Sequence, residues 1–183
     1  MHKLTYLVDG EWKVHSCAPV FSVGAADGGV QRVHAGAPDG DPTPFERLVQ
    51  VLEAPYLLLY VLHTPRGEAA AGRYQSPELS TDQFRAFLAE FGEFLRADSR
   101  FDIWAYSPAE RATVVWDRHN QLFAYGPLER FATELRSLGF QSGVLDVNFP
   151  HQHHYRPECD EQASALLNTF EWSHSPLRPE DEQ

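Results

Sequence analysis

Apolar residues recur along this chain at two different spacings. In some segments every second residue is apolar, as is typical of strands, and in others every third or fourth residue is apolar, as is typical of helices. Short alternating runs at residues 4–8 and 11–16 flank Asp9-Gly10, a dipeptide that tolerates positive φ, and they predict a β-hairpin. Residues 18–42 are rich in Gly, Ala, Asp and Pro and show no period. We therefore expect a long loop there.

Four amphipathic segments predict helices, because their apolar residues recur every three or four positions. The first covers residues 43–54. The second begins with Ser80-Thr81-Asp82-Gln83, which has the spacing of a capping box. The third follows Gly126-Pro127, and the fourth covers residues 159–170. On the fourth helix, Cys159 falls on the apolar face and is expected to be an ordinary buried thiol.

Strand patterns occupy the regions between these helices. Residues 56–62 are apolar on both alternating faces, and residues 70–75 fit a return strand. A three-strand meander is predicted within residues 101–125, and a further strand over residues 144–149. Residues 175–183 carry two prolines and an acidic end, and this composition indicates a tail.

The order of these elements predicts an α+β fold with an antiparallel or mixed sheet and helices mainly on one face. From residue 56 to residue 149 the order is strand, helix, two or three strands, helix, strand, which matches a ferredoxin-like (split βαβ) sandwich. The N-terminal hairpin and the C-terminal helix extend it. We expect one domain over residues 1–183, since a chain of this length suits a single core.

Charge and composition argue against some classes of partner for this protein. A net charge of -11 argues against nucleic acid as a partner, because a phosphate backbone requires a basic surface. An acidic surface suits solubility or a basic protein partner. The two cysteines lie far apart, no apolar run is long enough to span a membrane, and no signal peptide is visible. These features predict a cytoplasmic protein without membrane contact.

Several chemical motifs are absent, whereas one histidine cluster stands out. The chain lacks the P-loop, the dinucleotide-binding glycines, the nucleophile elbow and H-E-x-x-H. His151 and His153 follow the strand predicted at 144–149 and would project to one side of an extended segment. If the turn carrying Asp117 and His119 lies beside them, these four residues form a candidate site for a transition metal such as zinc.

Residues of these types in such positions more often have a structural role than a metal-binding one. Histidines between a strand and a helix are usually exposed or bonded to the backbone, and Asp117 has the position of a turn-capping side chain. Trp104 and Tyr106 share one strand face, as do Phe123 and Tyr125. Such aromatic pairs pack sheets, but on an uncovered face they would mark a protein contact.

The leading hypothesis is therefore a non-enzymatic binding protein that acts through a protein–protein contact, of the immunity or inhibitor type, without a required cofactor. The same aromatic face could instead form a homodimer. One alternative is a metal-dependent hydrolase that uses Asp117, His119 and the histidines of residues 151–154, and another is a small-ligand module with a pocket beneath Tyr125 and Tyr155. The candidate contact residues are Asp117, His119, Tyr125, His153, His154 and Tyr155.

Overall fold

The computed structural model describes residues 1–25, 28–145 and 149–181. Within them the chain forms four α-helices and twelve β-strands. The helices are α1 (Thr43–Gln50), α2 (Thr81–Ala97), α3 (Leu128–Ser137) and α4 (Asp160–Leu167). The strands are β1 (Leu4–Val8), β2 (Glu11–Val14), β3 (Val20–Ala25), β4 (Gln31–Gly36), β5 (Leu57–Leu62), β6 (Gly72–Gln75), β7 (Phe101–Ser107), β8 (Ala112–Trp116), β9 (Gln121–Tyr125), β10 (Gln141–Ser142), β11 (His151–His153) and β12 (Ser173–Ser175).

Nine of these strands form one sheet in the order β10-β3-β4-β9-β8-β7-β5-β6-β12, and a second sheet has the order β11-β1-β2. The mixed α+β content matches the prediction, but the sheet is larger than expected. The ferredoxin-like order is not confirmed. In a split βαβ unit the strands flanking the helix are parallel and separated by another strand. Here β5 pairs directly and antiparallel with β7, from Leu57 opposite Tyr106 to Leu62 opposite Phe101.

The prediction of a long loop over residues 18–42 is wrong, because this region contains β3 and β4. The two strands pair antiparallel, and β4 continues the meander by pairing with β9. The many Gly and Ala residues of this region obscure the apolar–polar alternation that is typical of strands. At Gly36, for example, an added Cβ would lie 2.5 Å from the Cβ of Cys17, so close packing requires glycine at this position. Of the strand predicted over 144–149, residues 146–148 lie outside the described residues.

The four predicted helices are present, and all four contribute side chains to one apolar core. The alternation in β7 shows which sheet face this core covers. Phe101, Ile103 and Ala105 are fully buried on the core side, whereas Trp104 and Tyr106 are half-buried on the other. We call the opposite face of the large sheet, which carries Trp104 and Tyr106 and none of the four α-helices, the helix-free face. No helix in the described ranges is long and apolar enough to cross a bilayer.

The capping box predicted for α2 is formed as expected. The N–H of Gln83 donates to Oγ of Ser80 over 3.3 Å, and the N–H of Ser80 donates to Oε1 of Gln83 over 2.9 Å. These two bonds satisfy donors that the first turn of a helix otherwise leaves without a partner.

We expect Ser80→Ala to lower the free energy of unfolding by about 1 kcal/mol, measured by urea denaturation. Ser137→Ala is the matched control. Ser137 is exposed at the end of α3, and its hydroxyl donates to the carbonyl of Glu134 without capping an N-terminus. A loss at Ser80 no larger than the loss at Ser137 would show that the capping box adds nothing to stability.

Candidate functional site

The turn between β8 and β9 holds His119 in a fixed orientation. Oδ1 of Asp117 accepts the backbone N–H groups of His119 (2.9 Å) and Gln121 (2.7 Å). Oδ2 of Asp117 lies 2.9 Å from Nδ1 of His119, and this ring nitrogen must be the donor because a carboxylate only accepts. In the neutral form of this ring the lone pair is on Nε2, which is the arrangement found in carboxylate–histidine–metal sites.

Strand β11 places two more histidines, His151 and His153, beside His119. It pairs antiparallel with β1, with His151 opposite Tyr6 and His153 opposite Leu4. Because side chains two residues apart share a face, both imidazoles project to one side of the strand. Nδ1 of His151 donates to the carbonyl of Phe149 over 3.0 Å, and this bond leaves Nε2 of His151 free.

We call His119, His151 and His153 the histidine cluster. Their ring centroids are 5.2 Å (119–151), 4.8 Å (119–153) and 5.1 Å (151–153) apart. One nitrogen from each ring can be chosen so that all three lie within 4.8 Å of one another. In a tetrahedral zinc site with Zn–N bonds near 2 Å, imidazole centroids are separated by about 5 Å. The cluster therefore has the spacing of a three-histidine metal site.

His153, the third member of the cluster, differs from the other two histidines in its hydrogen bonding. Nδ1 of His153 is buried and has no hydrogen-bond partner among the described residues. Buried polar atoms of this kind are rare and call for a specific explanation, such as an ion. Burial, with contributions from His119 and His151, lowers the pKa of His153 to about 3. His153 is therefore neutral at neutral pH, which is the form that binds a metal.

A cavity of about 200 Å³ adjoins the cluster. His119, His151, Gln121 and Phe149 line it, together with His15. Burial, followed by repulsion from His151 and His119, lowers the pKa of His15, so this imidazole is a neutral proton acceptor at neutral pH. No local pattern singles out His15, because only the pairing of β1 with both β2 and β11 brings this residue to the cluster.

The buried side chain of Lys3 also contacts the turn between β8 and β9. Nζ of Lys3 donates to the carbonyl of Asp117 over 3.0 Å and lies 4.6 Å from the centre of the Trp116 ring. The side chain is fully buried, and burial lowers its pKa from 10.5 to about 8 despite the nearby carboxylates.

This shift predicts a rise in stability with pH. Between pH 8 and pH 10.5 the unfolded chain still holds the Lys3 proton while the folded chain has released it. The free energy of unfolding must then increase with pH. Relative to Lys3→Met, the wild type should gain up to about 3 kcal/mol across this window. Chemical denaturation at several pH values measures the difference.

Lys13→Met is the control, because Lys13 is exposed on β2 and its substitution should leave the pH dependence unchanged. A wild-type-minus-Lys3→Met difference that stays flat or falls as the pH rises would contradict the assignment.

The helix-free face of the large sheet forms a groove of about 420 Å³, which we call the sheet groove. Its lining includes Arg32, Trp104, Val115, His119, Phe123 and Tyr125. His119 lines both the sheet groove and the smaller cavity, so the two spaces meet at this imidazole.

The structure brings together all four residues of the metal hypothesis. His119, His151 and His153 form the cluster, while both carboxylate oxygens of Asp117 are engaged in orienting the turn and His119. Tyr155 stacks on His153 with a centroid distance of 6.2 Å and an interplanar angle of 4°.

Two further candidate residues lie apart from the cluster. His154 projects to the other side of β11, where its Nε2 is 3.1 Å from Oγ1 of Thr5 and its ring meets His2. Tyr125 lies in the sheet groove, where its hydroxyl accepts a hydrogen bond from Arg32. Tyr125 therefore lines the sheet groove, whereas Tyr155 is not among the residues that line it.

Comparison with known proteins gives no family. No protein-family model, curated protein or solved structure matches this chain. The geometry of the histidine cluster and of the sheet groove is therefore the basis for assigning a function.

Proposed function

We propose that this chain is a zinc-dependent hydrolase whose metal is held by His119, His151 and His153. The observation that carries this proposal is the convergence of three imidazoles at tetrahedral spacing, two of them with Nδ1 bonded to oxygen so that Nε2 is free. Three protein nitrogens with a fourth position left for water is the ligand pattern of catalytic rather than structural zinc.

The supporting residues suit zinc in particular. Imidazole nitrogen is a ligand that zinc shares with copper, iron and nickel, but three histidines with water is a common catalytic zinc set. Asp117 acts as the partner that orients His119 and raises its basicity, instead of acting as a ligand.

A zinc ion held by the three histidines would keep a fourth position for water, near the neutral imidazole of His15. Zinc lowers the pKa of a bound water to about 7 and so supplies a nucleophile at neutral pH. In the proposed reaction the water oxygen bonds to the carbonyl carbon of an ester or amide, and the bond from that carbon to the leaving group breaks. His15, across the small cavity, accepts the proton of the water and returns it to the leaving group.

Metal loading followed by an esterase assay tests this proposal. Protein stripped with a chelator and dialysed should take up about one zinc per chain and melt at a higher temperature, because a ligand of the folded state raises stability. Hydrolysis of 4-nitrophenyl acetate should appear with zinc and disappear in His15→Ala, which leaves all three ligands in place. No zinc uptake would contradict the metal site, and zinc uptake without hydrolysis would contradict the enzyme.

A protein-binding role is the second candidate, and the partly exposed aromatic side chains of the sheet favour it. Trp104, Tyr106, Phe123 and Tyr125 are half-buried on the helix-free face of an acidic protein. A basic partner, or a second copy of the chain, could cover this face. Salt-sensitive binding of a purified basic partner, lost in Trp104→Ala and retained without metal, would support this role. Recovery of chaperones alone in a pull-down would oppose it.

We also propose a cytoplasmic location. Cys17 and Cys159 are free, buried thiols, and a reducing compartment keeps thiols in this state.

A further inference from the structure

The sheet groove contains an arginine, Arg32, that has no anionic partner among the described residues. One guanidinium nitrogen of Arg32 donates to the hydroxyl of Tyr125 over 3.1 Å, and the guanidinium carbon lies 4.5 Å from the centre of the Phe123 ring. None of the ion pairs between described residues includes Arg32. Its remaining N–H donors are therefore available to a ligand.

Several other arginines of this acidic chain are paired with carboxylates. With 26 acidic and 15 basic residues, most arginines can find a carboxylate. Arg73, on the same sheet, pairs with Asp181 over 2.6 Å, and the buried Arg100 pairs with Asp98. Arg32 is instead fixed by an aromatic face and a phenol, which orient its planar donors without neutralising the charge. An oxyanion is the ligand that such a fork of donors binds best.

Between Arg32 and the histidine cluster, apolar side chains line the groove beside the polar side chain of Gln121. Phe123 and Val115 are opposite each other on β9 and β8, and both line the sheet groove. Gln121, Phe123 and Tyr125 share one face of β9, and this face extends for about 13 Å at the usual rise of a strand. The groove therefore suits a flat or aliphatic body of about this length, with one end at Arg32 and the other at His119.

Charge also fixes the direction in which a ligand would lie. Asp181 and Glu180 line another part of the groove, where Asp181 is bonded to Arg73 on β6. Strands β4 and β6 are five positions apart in the sheet, so Arg32 and Arg73 belong to opposite sides of the groove. Asp102 and Asp117 line the His119 end together with Arg118, whose backbone N–H donates to Asp102, so Arg32 is the cation that can attract an anion to the β4 side.

We propose that the sheet groove binds a small molecule with an apolar body and a terminal oxyanion, and that Arg32 holds the oxyanion. This inference rests on the proposed hydrolase only for the statement that the molecule is its substrate, with the scissile ester or amide bond near His119. Carboxylates and phosphate esters share the oxyanion chemistry, and matched probes separate the two.

The test uses full-length protein freed of metal by a chelator and then dialysed. The probes are 4-phenylbutanoate, its neutral analogue 4-phenylbutanamide, and 3-phenylpropylphosphonate, with binding measured by titration calorimetry and saturation-transfer NMR. We expect the carboxylate to bind about tenfold more tightly than the amide, equivalent to about 1.4 kcal/mol for a charge-assisted contact. Tighter binding of the phosphonate would identify a phosphate ester as the natural group, and tighter binding of the butanoate a carboxylate.

Substitutions then assign the preference to Arg32. Arg32→Gln should remove the difference between acid and amide, and Tyr125→Phe should reduce it, because the phenol holds the guanidinium in place. Arg85→Gln is the matched control. Arg85 lies on the exposed surface of α2 near Glu46, and its substitution should keep the preference. Equal binding of acid and amide to the wild type, no binding of either, or a preference that survives Arg32→Gln would each overturn the inference.

The result is independent of the metal proposal. Because the probes are titrated into metal-free protein, a preference that depends on Arg32 stands even if no zinc binds, and the groove is then a binding site without hydrolysis. If zinc binds and catalyses hydrolysis but acid and amide bind equally, only the substrate class is wrong.

Discussion

Replacing Arg100 with methionine is expected to lower the free energy of unfolding by about 3–5 kcal/mol, because it leaves buried carboxylates without their cation. The Arg100 side chain has no exposed surface, and neither has that of Asp98. Its nitrogens donate to both oxygens of Asp98 (2.9 and 3.0 Å), to Glu68 (2.9 Å), to Asp160 (2.9 Å) and to the carbonyl of Arg156 (3.0 Å). Methionine fills similar space but satisfies none of these acceptors.

Arg130→Met provides the matched control, measured by the same denaturant titration. Arg130 forms its ion pair with Glu110 at the surface, where its side chain is 49% exposed, so its loss should cost no more than about 1 kcal/mol. If the two substitutions destabilise the protein equally, the buried network contributes no more than a surface pair.

The Arg100 network also connects the fold to the histidine cluster. Oδ2 of Asp98 accepts the backbone N–H of Arg156 over 2.8 Å, and the N–H of Ser99 donates to the carbonyl of His154 over 3.1 Å. These bonds anchor the segment that follows β11 to the end of α2. A rigid anchor one residue beyond His153 keeps its ring at the distance a metal requires. Loss of Arg100 should therefore weaken metal binding as well as stability.

The sequence predicts those helices and strands whose determining residues are close together along the chain. The hairpin of β1 and β2 follows from Asp9-Gly10, where both residues have the positive φ (54° and 82°) that this dipeptide favours. Helix α2 follows from Ser80, Gln83 and the apolar stripe behind them. In each case the residues that determine the element are only a few positions apart, so the pattern is visible without knowledge of the fold.

Pairing between distant segments could not be predicted in the same way. Strand β4 pairs with β9 across about ninety positions of chain, and nothing local in either strand specifies the other. Arg32 and Tyr125 meet only because of this pairing, so the anion site that we propose in the sheet groove has no sequence signature. For the histidine cluster, spacing suggested that His151 and His153 share a side, but their approach to His119 depends on β11 pairing with β1.

Hydrogen bonding decides which nitrogen each histidine offers, and sequence cannot supply this information. Asp117 was a candidate ligand from the sequence, yet its carboxylate bonds to His119 and to two backbone N–H groups. A carboxylate engaged in this way improves its histidine as a ligand and has little capacity left for a metal. In the zinc site that we propose, Asp117 is therefore a positioning group for His119, whereas its place in the sequence predicts a ligand.

Graded losses of zinc affinity across the cluster are the last expected result. His119→Ala, His151→Ala and His153→Ala each remove one of three nitrogens and should weaken zinc binding by more than about 100-fold, whereas Asp117→Asn should weaken it by about 10–100-fold, the usual effect of losing a ligand's partner. Competition with a chromophoric chelator measures each dissociation constant. His154→Ala is the control, because His154 bonds to Thr5 on the other side of β11 and should leave the affinity unchanged.

The order of these effects separates a metal site from a merely packed group of aromatic rings. If the three histidines only stack on one another, their substitutions should change stability by similar amounts and leave zinc binding equal to that of His154→Ala. If they bind zinc, the three ligands should form one class, Asp117 a weaker second class, and His154 none. Because Asp117 touches only His119 within the cluster, Asp117→Asn should add no further loss in a His119→Ala background. Additive losses in that double variant would mean that Asp117 acts on the metal by another route.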